Sequence, residues 1–224
     1  MALFSLVLAS AASAMLVVGR ILWTGSLAYG GLVWNLFLAW LPLVFALLAV
    51  DEYRANGPGH WRFCALSTAW FLFFPNAPYI FTDVYHLTGR FYEHFWIDLV
   101  MVLLCSMTGL VLGFVSLYLM HSVVARWRGG LAGWVFVAVT SAAGSFGIYL
   151  GRFLRFNSWD ILLKPHAIYQ TIGDLTSDPF ARPTRFVFPI LFALFLFISY
   201  LMLYALTSLR PAPLSLEPPS STAR

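Results

Sequence analysis

The chain is short of charge. Of its 224 residues only 10% are Asp, Glu, Lys or Arg, while 61% are hydrophobic and the mean hydropathy is +0.82. Soluble domains do not have that balance, and a membrane chain does. Lysine is almost missing: twelve of the thirteen basic residues are Arg. They are scattered at the ends of apolar segments, where a guanidinium can snorkel and help set topology. No basic run exists, so the net charge of +4 does not call for nucleic acid. Cysteine is scarce too. Cys64 and Cys105 fall at different depths, which speaks against a disulfide, and neither has metal-ligand spacing. Both read as packing residues. There is no Gly-rich phosphate loop, no nucleophilic Ser or Cys motif and no internal repeat.

What the chain does have is apolar length. Windows free of Asp, Glu, Lys, Arg and His run 1–19, 21–50, 63–82, 99–120, 129–151 and 186–209. Each approaches or exceeds the roughly 20 residues that cross a bilayer core. The predicted fold class is therefore all-α, a polytopic transmembrane helix bundle of about six helices over 1–209, with 210–224 as a Pro- and Ser-rich disordered tail. Ala12-Ser13-Ala14 faintly resembles a signal-peptidase site. The preceding residues carry no Lys or Arg and the apolar run continues, so the segment reads as a retained helix. Asn35 sits inside the second span and is expected to find a partner on another helix, because an unpaired amide in lipid is costly. Gly109, Gly113, Ser141, Gly144, Ser145, Gly147 and Gly151 make the fourth and fifth helices the close-packing ones, expected at the bundle centre. The nine Trp read mostly as an interfacial belt.

The third apolar segment ends in Phe73-Phe74-Pro75-Asn76-Ala77-Pro78-Tyr79. Pro75 and Pro78 cannot donate to the carbonyls of Phe71 and Phe74, so the spacing predicts a broken helix. Asn76 is expected to cap a second short helix that starts at Ala77. On that helix Tyr79, Asp83, His86 and Arg90 recur at i, i+4, i+7 and i+11 and share a face. A second polar cluster, Arg152, Arg155, Asn157 and Asp160, follows the fifth helix. Asn157 and Asp160 have the spacing of a helix cap with an acid at its third position, so 158–173 is expected to hold another interfacial helix. Two helices separate the clusters, so they lie on one side of the membrane and can meet. Arginines at helix ends and in short loops favour termini in the cytoplasm.

The chemistry of these residues admits several uses. Asp83-x-x-His86 and His94-x-x-x-Asp98 supply two imidazoles and two carboxylates, a donor set a divalent ion could use. Arg90 and Arg152 oppose a dication, so no metal or other cofactor is favoured and ion pairing of the acids is expected. Guanidinium forks at Arg152 and Arg155 suit phosphate, which at a membrane surface belongs to a headgroup.

Trp34-Asn35-Leu36-Phe37-Leu38-Ala39-Trp40, Phe74-Pro75-Asn76-Ala77-Pro78-Tyr79-Ile80 with Thr82-Asp83 and His86-Leu87, Asp98, and Tyr149-Leu150-Gly151-Arg152-Phe153 through Asn157-Ser158-Trp159-Asp160 carry a resemblance. On them the chain resembles the bacterial integral membrane proteins of domain of unknown function 1361 (DUF1361). The resemblance implies a multi-pass protein of the bacterial cytoplasmic membrane and brings no reaction, substrate or cofactor. Three function classes stand side by side. One is a binding or accessory protein whose polar site takes an anionic headgroup or another membrane protein. The second is an interfacial enzyme, metal-dependent or not, acting on a lipid-linked or phosphate-bearing substrate, with Asp83 or His86 as general base, His94 and Asp98 as metal ligands or acid, and Arg152 and Arg155 as the phosphate clamp. The third is a small-solute transporter using the broken helix; the lack of ionisable residues in mid-span speaks against it.

Overall fold

The computed structural model describes residues 2–87, 94–156 and 184–208, with the single positions 166, 170 and 173. The described chain is helical. It consists of α1 (Ala2–Thr24), α2 (Gly30–Asn56), α3 (Trp61–Phe73), α4 (Asn76–Tyr79), a 3₁₀ helix (Ile80–Leu87), α5 (Phe95–Arg128), α6 (Gly130–Phe153) and α7 (Thr184–Ser208). Five of these, α1, α2, α5, α6 and α7, are long and apolar enough to cross a membrane. The protein is a multi-pass transmembrane helix bundle. The 158–173 segment (apart from the single positions above) and the tail from 210 lie outside the described residues.

The window 63–82 is not one span. Its helix α3 has 13 residues, about 20 Å at 1.5 Å per residue, against a hydrocarbon core of about 30 Å. Pro75 ends it, and the chain completes the passage in α4 and the 3₁₀ helix. Backbone angles stay right-handed helical at Phe74, Pro75 and Ile80, so the break is a change of pitch and direction rather than a loop. Asn76 does not cap the new helix, as its position suggested. Its Nδ2 donates to the Phe73 carbonyl at 3.1 Å, closing the end of α3 instead. The carboxamide goes to the carbonyl side because proline, with no N–H, leaves acceptors rather than donors in need there.

The break is seated in a row of glycines on two helices. A Cβ added at Gly109 of α5 would lie 2.7 Å from the Ala77 carbonyl oxygen, and one at Gly113 would lie 3.1 Å from the Ala77 Cβ. On α6, a Cβ at Gly144 would meet Phe74 at 2.9 Å, at Gly147 Pro75 at 2.8 Å, and at Gly151 the Tyr79 ring at 3.3 Å. The small residues of α5 and α6 thus accept the broken segment between them, beyond letting α5 and α6 approach each other. Ser106 Oγ adds a hydrogen bond to the Ile80 carbonyl at 3.1 Å, satisfying an acceptor that the tightened helix presents.

Around this seat the core falls into two clusters. One joins α2, α3, α5, α6 and α7 around Trp70, Phe114 and Leu196. The other joins α1, α2 and α5 with Ala77 and Ile80 of the broken segment. Trp70 is an exception to the interfacial belt. It is buried, donates to Ser116 Oγ at 3.2 Å and stacks on Phe136, because this face of α3 turns toward α5 and α6. Trp23, Trp61, Trp96 and Trp127 are exposed near helix ends, as a belt requires.

Candidate functional site

The 3₁₀ helix carries the first half of the site. It has three residues per turn, so Asp83 and His86 eclipse at i, i+3. The α-helical register that placed Tyr79, Asp83, His86 and Arg90 on one face does not apply beyond Tyr79, and Arg90 lies outside the described residues. Thr82 fixes the start of this turn by donating from Oγ1 to the Tyr79 carbonyl at 2.7 Å.

The second half is Arg152, in the last turn of α6. Its Nε and Nη2 donate to Thr82 Oγ1 at 2.9 and 2.7 Å, and Nη2 donates to Asp83 Oδ1 in a charge-assisted contact. The guanidinium carbon stands 4.7 Å from the Tyr79 ring centroid, a cation–π geometry. Nη1 lies 3.3 Å from His86 Nε2. An arginine only donates, so Nε2 accepts and the imidazole proton sits on Nδ1. Four of the five guanidinium N–H groups are thereby engaged, which fixes the side chain. Asp83 is only 7% exposed and its charge is met by Arg152, as a buried carboxylate requires.

Asn35 of α2 completes the set. Its Nδ2 donates to Asp83 Oδ2 at 3.0 Å. The partner expected on another helix is thus a residue of the 3₁₀ segment. Asn35 is also the site residue that sequence reading left out. Its signal was an amide inside an apolar run, which reads equally well as plain interhelical packing. Asn35, Tyr79, Asp83, His86 and Arg152, with Tyr29 and Leu32, line a pocket of about 180 Å³ between α2, the 3₁₀ helix and α6. Asp83 lies at its inner wall, while the His86 side chain is 57% exposed at its rim.

Arg155 follows α6 with φ of +59°, a left-handed conformation that an arginine adopts at a cost. Leu154 and Phe156 N–H groups both donate to the Leu150 carbonyl at 3.2 and 3.1 Å, so the turn around Arg155 closes the helix end where glycine is usual. Its side chain is exposed. Asn157 and Asp160 lie outside the described residues.

The four candidate metal ligands do not converge. Asp98 takes a two-pronged contact from Arg20, 2.5 Å from Nε and 3.1 Å from Nη2, and is fully buried. His94 stacks on Trp23 with centroids 4.7 Å apart. Asp83 and His86 belong to the Arg152 cluster. Among the described residues no three His, Cys, Asp or Glu side chains are grouped to hold a metal.

Comparison with curated proteins and with solved structures returned no match. Residues 34–200 match the family described as "Protein of unknown function (DUF1361)". That region holds α2 through most of α7, with every described residue of the Arg152 cluster inside it. The match covers well over half of the chain, and the protein belongs to the DUF1361 family.

Proposed function

We propose that this is a membrane-embedded binding protein of the bacterial cytoplasmic membrane, and that its polar pocket takes the anionic headgroup of a lipid or lipid-linked molecule. One observation carries the reading. A part-buried cation, Arg152, is oriented by Thr82, Asp83, His86 and Tyr79, and among the described residues one guanidinium N–H remains unspent at a 180 Å³ pocket. A donor fixed in advance loses little entropy when an anion arrives. Arg155, exposed three residues on, adds positive potential at the same membrane face.

An interfacial enzyme is the second reading. It draws on His86, whose Nε2 is 3.7 Å from the Asp83 carboxylate at the pocket rim, a base within reach of a bound group.

Native mass spectrometry of detergent-purified protein titrated with phosphatidic acid tests the first reading. Arg155→Gln removes a cation at an exposed position where packing does not intervene. It is expected to weaken retention several-fold, and Arg152→Gln about tenfold or more, the scale of one charge-assisted contact. Equal retention by wild type and both variants would remove the headgroup reading.

A further inference from the structure

The pocket's polar groups offer more acceptors than donors around its buried carboxylate. Asp83 is the buried polar group of the lining, and Asn35 contacts it. The carboxylate has about four lone-pair sites. Among the described residues Oδ1 accepts from Arg152 and Oδ2 from Asn35, which leaves acceptor capacity on both oxygens. Asn35 spends one of its two Nδ2 hydrogens on Asp83 and keeps the other, and its Oδ1 has no partner among the described residues. The wall is therefore rich in acceptors. The donors are the last N–H of Arg152, the second Nδ2 hydrogen of Asn35 and, at the rim, the Nδ1–H of exposed His86.

A bare phosphate only accepts, so it can meet the donors but leaves the spare acceptors of Asp83 and Asn35 unpaired. An ammonium only donates and would suit the wall by hydrogen bonding alone. However, Arg152 already neutralises Asp83 and its guanidinium stands over the Tyr79 ring, a face an ammonium would need. A hydroxyl both donates and accepts. Adjacent hydroxyls can donate to Asp83 and Asn35 while accepting from the donors, with no further charge to desolvate.

Resting on the headgroup reading above, we infer that this pocket selects a hydroxylated headgroup, of the glycerol or sugar class, with its hydroxyls on Asp83 and Asn35 and its phosphate outward at Arg152. Asn35 is then the residue that sets specificity. Arg152 supplies charge that phosphate-bearing lipids all share.

Four lipids of matched acyl chains separate these cases in native mass spectrometry of the full chain. They are phosphatidic acid, phosphatidylethanolamine, phosphatidylglycerol and phosphatidylinositol. Phosphatidylglycerol, phosphatidylinositol or both are expected to be retained about tenfold over the other two, the worth of one to two net hydrogen bonds. Which of them leads distinguishes an open polyol from a ring. Asn35→Leu is expected to collapse that preference to within about twofold, since it removes the wall's amide. The wild-type ranking decides the matter even if the variant fails to fold. Phosphatidic acid retained equally well, or phosphatidylethanolamine retained best, overturns the inference and leaves the headgroup reading standing. Retention of none of the four overturns both.

Discussion

Two buried Arg–Asp pairs lie at the same face of this bundle, and they are built differently. Arg20 of α1 grips Asp98 of α5 with both prongs of its fork, and the side chains are 11% and 0% exposed. Arg152 of α6 meets Asp83 of the 3₁₀ helix with only one nitrogen and spends the rest on Thr82 and His86. Asp83 in turn divides its oxygens between Arg152 and Asn35. The first pair is a clasp between a peripheral helix and the central one. The second is a hub shared by α2, the broken segment and α6, with room beside it. Charge pairing in an apolar chain is therefore no mark of a site by itself; the mark is a pair whose partners keep unspent capacity facing a cavity.

That contrast sets the order of expected effects. Asp98→Asn should be the most damaging change at this face, because it removes the carboxylate charge that both prongs of Arg20 grip in a buried setting, at a cost of about 3–5 kcal/mol. Replacing both partners, Arg20→Met with Asp98→Leu, should recover most of that loss, since an apolar pair of similar size is often neutral. Denaturant unfolding of the purified protein followed by Trp fluorescence reads both. If the double variant is no better than Asp98→Asn, the clasp does more than hold α1.

Next comes the seat of the second pair. Gly109→Ala would drive a methyl group against backbone, the Ala77 carbonyl, and should cost about 1–3 kcal/mol as overpacking. Gly151→Ala meets the edge of the Tyr79 ring at 3.3 Å and the Phe156 carbonyl oxygen at an ordinary 3.5 Å, and should cost less than about 1 kcal/mol. The same unfolding measurement ranks them. Equal effects would show that the break can slide on α5.

Asp83→Asn should fall lower than Asp98→Asn, at about 1–3 kcal/mol, because Arg152 keeps Thr82, His86 and the Tyr79 ring. Its larger consequence should be loss of the retained lipid. A variant as unstable as Asp98→Asn would mean that the two pairs are alike after all.

The helices were legible in the sequence because lipid imposes a single rule, an uninterrupted apolar length. The proline break was legible for the same reason, since Pro75 and Pro78 remove donors wherever they stand. The meeting of Arg152 with Asp83 followed from counting crossings. What the glycines face was not legible. A stripe such as Gly109-x-x-x-Gly113 states that something approaches closely and is silent about what, and here the answer is the broken segment, Ala77 to Ile80, far earlier in the chain. The 3₁₀ register was hidden as well, because propensity does not separate it from an α-helix over eight residues. Asn76 misled because the same side chain can serve a helix start or a helix end, and the proline beside it decides which.

The length of α5 has a consequence for the bilayer itself. At 34 residues the helix is about 51 Å long, while α1 and α6 have 23 and 24 residues. Its charge-free stretch, 99–120, matches the hydrocarbon thickness, and Asp98 is held at one margin by Arg20. The surplus therefore emerges at the other margin, where Arg126, Trp127 and Arg128 stand with the Arg128 guanidinium 4.2 Å above the Trp127 ring. Rods of unequal length clamped at one end meet mismatch by leaning or by stretching the lipid around them. Any such mismatch falls first on α5, the helix that carries Gly109 and Gly113 of the glycine seat.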